Sequence, residues 1–370
     1  MKIICVGGGT LGSVTPLLGV IEAWQKIEPR LEVEWWGTKQ GPEKKLLKSL
    51  GIKYYSIAAG KLRRYWSLRN FSDVFQVGLG FVQALWRFGL RRPEVVLTAG
   101  SFVAVPVGLA AKCYGLPLTL HQQDVRPSLV NKLLAPLSDL ITVTWPDSLQ
   151  HFSSSRTVLT GNPVRTGFLK PPDKELVCQK LGLKSTRPIV LVMGGGTGAA
   201  FLNELITANL TVLVSFCQII HLTGLNKVGA VNQAGYYPLP LATDTASLLT
   251  AADVVVARAG MGTITELAAA AKPAIIVPLP ESHQEDNAVY LERKQAAVIL
   301  HQTSLTPGAF VDTLRQLLAT AGKRNVLGKN LQAIMIEGAA EKVVAEIIKI
   351  LNNNVKFQNP NVKSNPNDQI

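Results

Sequence analysis

Short apolar runs rich in β-branched residues alternate along this chain with stretches whose apolar positions recur every three or four residues. The runs read KIICV, LEVEWW, VVLTA, LPLTL and LITVT up to residue 144, then IVLVM, CQIIHL, DVVVA and AIIVPL from residue 189 onward. Strands alternating with helices in this way predict right-handed βαβ crossovers and parallel sheets. Between the two series, TGNPVRTGFLKPPDKE carries three prolines and two glycines, the composition of an interdomain linker. The pattern therefore predicts an α/β chain of two doubly wound parallel-sheet domains, 1–160 and 176–337, joined by a linker at 161–175. Residues 352–370, rich in asparagine and proline, read as a disordered tail.

Each half opens on the same local sequence. GGGTLGSVTP (7–16) follows the run ending at Val6, and GGGTGAA (194–200) follows IVLVM. A glycine loop between a first strand and a first helix lets the backbone approach a phosphate at a helix amino terminus. Gly7, Gly9 and Gly12 fit G-x-G-x-x-G, which leaves an NAD(P)-dependent oxidoreductase open as an alternative. The acidic residue such a site needs at the end of the second strand is absent, because VEWWGT ends in Gly37 and Thr38 with Glu34 inside the strand. Neither loop carries the Lys-Ser/Thr pair of a P-loop.

Composition narrows the partners. With 370 residues, 47% hydrophobic and 17% charged, the chain suits two well-buried domains. A formal net charge of +13 and a pI near 9.6 predict an anionic partner, whether nucleic acid, an acidic lipid surface or a phosphorylated substrate. Cys5, Cys113, Cys178 and Cys217 form no CxxC pair, which argues for a reducing compartment and against a zinc site. The amino terminus, MKIICVGGG, reaches glycines too soon for a signal-peptide core, and no run has the length of a membrane-spanning helix. A cytoplasmic protein is expected.

The second half carries the denser chemistry. In ADVVVARAGMGTITELAAAAKPAIIVPLPESHQEDNA (252–288), Gly260 and Gly262 free amides at a helix start for a diphosphate. Glu266, in the first turns of that helix, can accept two ribose hydroxyls or simply complement the helix dipole. His283, Gln284 and Asn287 share a helix face and supply groups suited to sugar hydroxyls.

In this combination the chain resembles the MurG family of glycosyltransferases over nearly all of residues 1–350. GGGTLGS matches the family's GGTxGH loop, GSFVAVP (100–106) its GGYVS-like stretch, and HQQD (121–124) its HEQN-like stretch. TGNPVR (160–165), GGGTGA (194–199), ARAGMGTITE (257–266) and HQEDNA (283–288) continue the series in order. The resemblance implies a GT-B architecture, two Rossmann-like domains facing across a cleft, with a C-terminal helix at about 338–351 packing back on the first. It implies transfer of N-acetylglucosamine from UDP-GlcNAc to the undecaprenyl-pyrophosphoryl muramyl-pentapeptide. The donor would meet Arg165, Gly195, Gly196, Thr197, Gly260, Met261, Gly262, Thr263, Glu266, His283, Gln284 and Asn287. The acceptor would meet Gly9, Thr10, Leu11, Gly12, Ser101, Gln122 and Asn131. No cofactor is implied. A DxD pair, a common diphosphate-metal clamp, is missing from the chain, so a metal-independent reaction is expected.

Departures from the family pattern bear on catalysis. Its loop histidine is Ser13 here, which cannot act as a base near neutral pH, and HQQD has Gln122 for glutamate and Asp124 for asparagine. Asp124 is the favoured replacement base, with His121 and Ser13 as further candidate catalytic residues. A non-catalytic nucleotide-sugar-binding homologue remains the second reading.

Charge and apolarity coincide once. Lys61, Arg63, Arg64, Arg69, Arg87, Arg91 and Arg92 face only Asp73 between residues 61 and 92. The intervening helical pattern has two apolar stripes, one through Phe71, Val74, Phe75, Leu79, Val82 and Trp86, the other through Val77, Phe81, Ala84 and Phe88. One stripe left over beside arginines suits an interfacial helix on anionic lipid. Phe81, Trp86, Phe88, Arg87 and Arg91 are the expected membrane contacts, placing the protein peripherally on the inner face of the cell membrane. No nucleic-acid-binding motif accompanies the charge.

Overall fold

Burial alternates along the first strand and sets the layers. In β1 (Lys2–Val6), Ile3 and Cys5 join the core on one face of a sheet while Ile4 and Val6 join the core on the other. Helices must therefore cover both faces, as parallel sheets require. The structure, a computed structural model, describes residues 1–60, 69–170, 172–194, 199–224, 233–240, 242 and 244–358, with side chains at all of these but 69–72 and 354–358.

Among the described residues, β1, β2 (Glu32–Gly37), β3 (Lys53–Ser56), β4 (Val95–Thr98), β5 (Leu118–Gln122), β6 (Leu140–Val143) and β7 (Thr157–Leu159) form one sheet. Its order is β3-β2-β1-β4-β5-β6-β7. The second comprises β8 (Ile189–Met193), β9 (Gln218–Leu222), β10 (Tyr236–Leu239), β11 (Val254–Ala257), β12 (Ala274–Ile276) and β13 (Val298–Ile299), ordered β10-β9-β8-β11-β12-β13. All pairings are parallel. Each sheet reverses its strand order beside its first strand, β1 or β8, the place where ligands of doubly wound sheets bind. The two-domain α/β prediction agrees with this architecture. The apolar runs had not included β3, β7, β10 and β13, which are the sheet edges.

The final helix, Ala339–Gln358, returns to the first half. Its Ala340, Val343, Val344 and Ile347 share a core with Leu17, Val20 and Trp24 of the Thr15–Ile27 helix. It continues through 352–358, part of the segment read as a tail, while 359–370 lie outside the described residues.

The Arg69–Leu90 helix corrects the choice of stripe. Phe88 is buried and stacks on Trp36 with ring centroids 4.8 Å apart, Ala84 is buried, and Phe81 is partly buried against the same core. Phe81 and Phe88 therefore belong to the interior. The exposed stripe is the other one: Val74, Phe75, Leu79, Val82 and Trp86, extended by Leu90. Arg87 lies over the Tyr55 ring at 4.2 Å and Arg91 reaches Glu34 at 3.3 Å. Lys61, Arg63 and Arg64 fall outside the described residues, as does the Arg69 side chain. Among the described residues no helix is long and apolar enough to cross a membrane.

Candidate active site

Two helix amino termini meet between the sheets. The Met261–Ala269 helix begins after β11 at Gly260, whose extended backbone starts it with no side-chain cap, and the Thr15–Ile27 helix also starts uncapped. Uncapped first-turn amides present partial positive charge to an anion. The approach is close: a Cβ on Gly262 would lie 2.9 Å from Thr15 Oγ1, a buried hydroxyl with no hydrogen-bond partner among the described residues. Met261 is buried and can offer only its backbone, while Thr263 stays half-exposed beside it.

Below this junction Thr15, Asn162, Arg165, Gly262, Thr265 and Glu266 line a small recess. Glu266 makes no hydrogen bond or ion pair among the described residues. Burial holds its carboxyl up at about 7, against the opposing pull of the Arg165 guanidinium. Arg165 is itself anchored, its Nε 3.0 Å from Glu22 Oε1, while Glu22 Oε2 accepts the Thr166 N–H at 2.8 Å. A half-buried carboxylate without a donor among the described residues, beside a fixed cation, leaves its acceptor oxygens unmet.

His121 lies under the same recess and is not a base. Its ring is 2% exposed, with Nδ1 2.9 Å from Thr142 Oγ1 and Nε2 2.7 Å from Asn162 Oδ1. Asn162 Nδ2 donates onward to Thr265 Oγ1 at 2.6 Å. Burial pushes His121 down to about 4, so the ring is neutral and fully engaged. It belongs to a bridge from β5 to the helix carrying Glu266.

Asp124 and Asn287 form a second bridge across the cleft. Asn287 Nδ2 donates to Asp124 Oδ1 at 2.9 Å and to the Ala259 carbonyl at 3.0 Å, while its Oδ1 accepts the Val125 N–H at 3.2 Å. The Asn287 amide is thereby spent on protein groups, which corrects its assignment as a sugar contact. Asp124 is about a quarter exposed (24%), with His283 Nε2 3.8 Å from its Oδ1. Burial raises its carboxyl above the usual range, opposed by His283 and the Asn287 hydrogen bond. Gln284 accepts the Leu279 N–H through Oε1 at 3.1 Å, and its amide nitrogen has no partner among the described residues.

The first glycine loop presents less side-chain chemistry than expected. Thr10 and Gly12 are exposed and Leu11 half-exposed, but Ser13 turns inward against Gly7, is 8% exposed, and leaves its hydroxyl buried without a partner among the described residues. It is no catalytic group. Ser101, held at φ 103°, donates to the Gly8 carbonyl at 2.8 Å. Gln122 braces its own loop by donating to the Asp124 carbonyl (2.7 Å) and accepting from Asn131 Nδ2 (2.6 Å). Gln122 and Asn131 are both nearly fully buried, so they brace this loop from behind rather than line its surface. The dinucleotide alternative fails here: Glu34 is buried against Lys2 and Arg91, and the Gly9 N–H is taken by Glu43. Gly195, Gly196 and Thr197 lie outside the described residues.

Residues 3–142 match the glycosyltransferase family 28 N-terminal domain and residues 189–351 its C-terminal domain. A UDP-N-acetylglucosamine–N-acetylmuramyl-(pentapeptide) pyrophosphoryl-undecaprenol N-acetylglucosamine transferase of Clostridium botulinum is 34% identical, covering 94% of this chain and 98% of its own. The enzyme of that name from Clostridium tetani is 37% identical over 85% and 89%. The chain belongs to the MurG family. The crystal structure of Acinetobacter baumannii MurG superposes with a TM-score of 0.68 at 26% identity, covering 94% of this chain and 99% of that one. The MurG structure carries the GT-B expectation over 94% of the chain.

Against the MurG family pattern, the residues that sequence reasoning did not select are the ones that join segments. Glu22, Glu43, Asn162 and Thr265 each bond a distant element. Asn162 sits inside the quoted TGNPVR motif, so a polar residue between glycine and proline was its available signal. Glu43 had none beyond its place at a helix start.

Proposed function

We propose that the chain moves N-acetylglucosamine from UDP-GlcNAc to the muramyl-pentapeptide intermediate on pyrophosphoryl-undecaprenol, the reaction for which its clostridial relatives are named. The observation that carries this is Glu266, a half-buried carboxylate without a partner among the described residues, beside Arg165, at the meeting of two uncapped helix starts. Neighbouring ribose hydroxyls supply the two donors the carboxylate lacks, and the Met261–Ala269 helix start receives the diphosphate. The amide nitrogen of Gln284 meets the sugar.

In the reaction, the acceptor sugar's hydroxyl oxygen bonds to the donor's anomeric carbon as the bond from that carbon to the diphosphate oxygen breaks, inverting the centre. UDP leaves with the bonding pair, its charge met by the Met261–Ala269 helix start. The hydroxyl proton passes to Asp124. Asn287 holds one carboxylate oxygen and leaves the other for the proton, the arrangement of a base oriented by a third group. A carboxyl raised toward neutrality is also the better base.

The lipid-linked acceptor calls for a membrane contact. The Val74, Phe75, Leu79, Val82 and Trp86 stripe, flanked by Arg87, Arg91 and Arg92, suits the anionic inner face of the cytoplasmic membrane.

The test is transfer of labelled N-acetylglucosamine to a short-chain lipid-linked acceptor in the presence of EDTA, with Glu266→Ala as control. Transfer that survives EDTA and collapses in the variant is expected. UDP-GlcNAc binding without transfer would instead favour the non-catalytic homologue.

A further inference from the structure

The Glu43 carboxylate is completely buried at 0% exposure, and no step above uses it. A charge taken out of water is retained only where donors surround it. Its donors come from three separate segments. Oε2 accepts the Gly9 N–H at 3.2 Å; Oε1 accepts the Thr38 N–H at 2.9 Å and the Thr38 hydroxyl, with the Tyr54 hydroxyl at 3.1 Å. The fit leaves no room for side chains, since a Cβ on either Gly8 or Gly41 would overlap the carboxylate.

The same short loop is pinned elsewhere by neutral groups. Trp35 Nε1 donates to the Gly7 carbonyl at 2.8 Å and Ser101 Oγ to the Gly8 carbonyl at 2.8 Å. Glu43 supplies the tie that fixes Gly9, whose φ of 84° sets the direction in which Thr10, Leu11 and Gly12 leave the sheet, while the Gly7 N–H donates to the Trp36 carbonyl at 3.2 Å. It also fills the crevice between the first loop and the end of β2, where a nucleotide ribose sits in dinucleotide-binding sheets.

We propose that Glu43 is a positioning residue for the acceptor: its carboxylate locks the Gly7–Gly9 backbone so that residues 10–12 hold a fixed rim for the pyrophosphate-linked substrate. The proposal rests on the reading that the first domain binds the acceptor. Glu43→Gln keeps the volume but sets an amide N–H against a backbone donor, so one tie is lost while the fold persists. The adjacent Gly12→Asp, on the exposed rim with room for a side chain, places a negative charge where the substrate's pyrophosphate belongs.

Steady-state kinetics on the full chain, varying each substrate, together with UDP binding by calorimetry, test this. The Glu43→Gln variant is expected to raise KM for the acceptor about tenfold, as a displaced positioning group does, while KM for UDP-GlcNAc and UDP affinity stay within about twofold of the unmodified chain. A purely structural role would lower kcat with the active fraction and leave both KM values alone, and that result overturns the proposal. An unchanged acceptor KM in Glu43→Gln beside a raised one in Gly12→Asp overturns it while keeping the acceptor reading. If neither variant moves the acceptor KM, the acceptor reading fails and the proposal falls with it.

Discussion

Asn287 reaches across the cleft and donates to Asp124 Oδ1 at 2.9 Å, while two further bonds to Val125 and Ala259 fix its own orientation. The carboxylate is thus aimed by a partner that cannot turn away. Asp124→Asn preserves the shape and removes the proton acceptor, so kcat is expected to fall about 10²- to 10⁴-fold with KM for UDP-GlcNAc unchanged. Kinetics with both substrates saturating check this. Full kcat in the variant would remove Asp124 from the mechanism.

Buried titratable groups pull stability in opposite directions with pH. The Glu266 carboxyl stands near 7 in the folded protein against an ordinary 4.5. Between those values the folded chain holds the proton more tightly than the unfolded chain, so this contribution to stability declines as pH rises. His121, and His221 buried in β9, stand near 4 against 6.5. There the unfolded chain takes up protons first, and stability declines as pH falls through that window. Thermal melts of ligand-free Glu266→Gln should therefore show a Tm advantage over the unmodified chain that grows from about pH 5 to about pH 8, following the linkage. A constant difference would mean that burial does not hold the carboxyl up.

The His121–Asn162–Thr265 bridge ties the two halves beside the recess. Replacing Asn162 by leucine leaves His121 Nε2 and Thr265 Oγ1 without this partner and is expected to cost about 1–3 kcal/mol in denaturant unfolding. Because Thr265 adjoins Glu266, KM for UDP-GlcNAc should rise more than KM for the acceptor. Equal effects on both would place the bridge in general stability alone.

Local reading reached some of this and missed the rest for physical reasons. Interior strands such as β4 and β8 are buried at every position, so they appear as unbroken apolar runs. The edge strands β3 and β7 have no fully buried residue, and their pattern dissolves into the surroundings. Glu266 and its glycine loop are contiguous in sequence and stood out. Asn162–Thr265 and Asp124–Asn287 span 103 and 163 positions, which no local pattern encodes. On the Arg69–Leu90 helix, periodicity yields two apolar stripes without ranking them. Small residues do not rank them either: Gly80 and Ala84 lie on the Phe81 and Phe88 side, where a Cβ on Gly80 would strike the Ala58 carbonyl, but Gly78 lies on the exposed side with open space around it.

The exposed stripe turns this into a test of membrane contact. Phe75 and Trp86 are 72% and 64% exposed, so replacing both by serine removes apolar surface from water at little cost to the fold. Binding to vesicles containing anionic lipid is expected to fall in this double variant, with Tm held. Phe88→Ser should do the reverse, costing about 3–5 kcal/mol as a buried aromatic truncation does, while folded protein still binds. A basic residue near an anionic surface is worth about 1 kcal/mol, so salt is expected to weaken any residual binding. Unchanged vesicle binding in Phe75→Ser, Trp86→Ser would mean that the stripe faces something other than lipid.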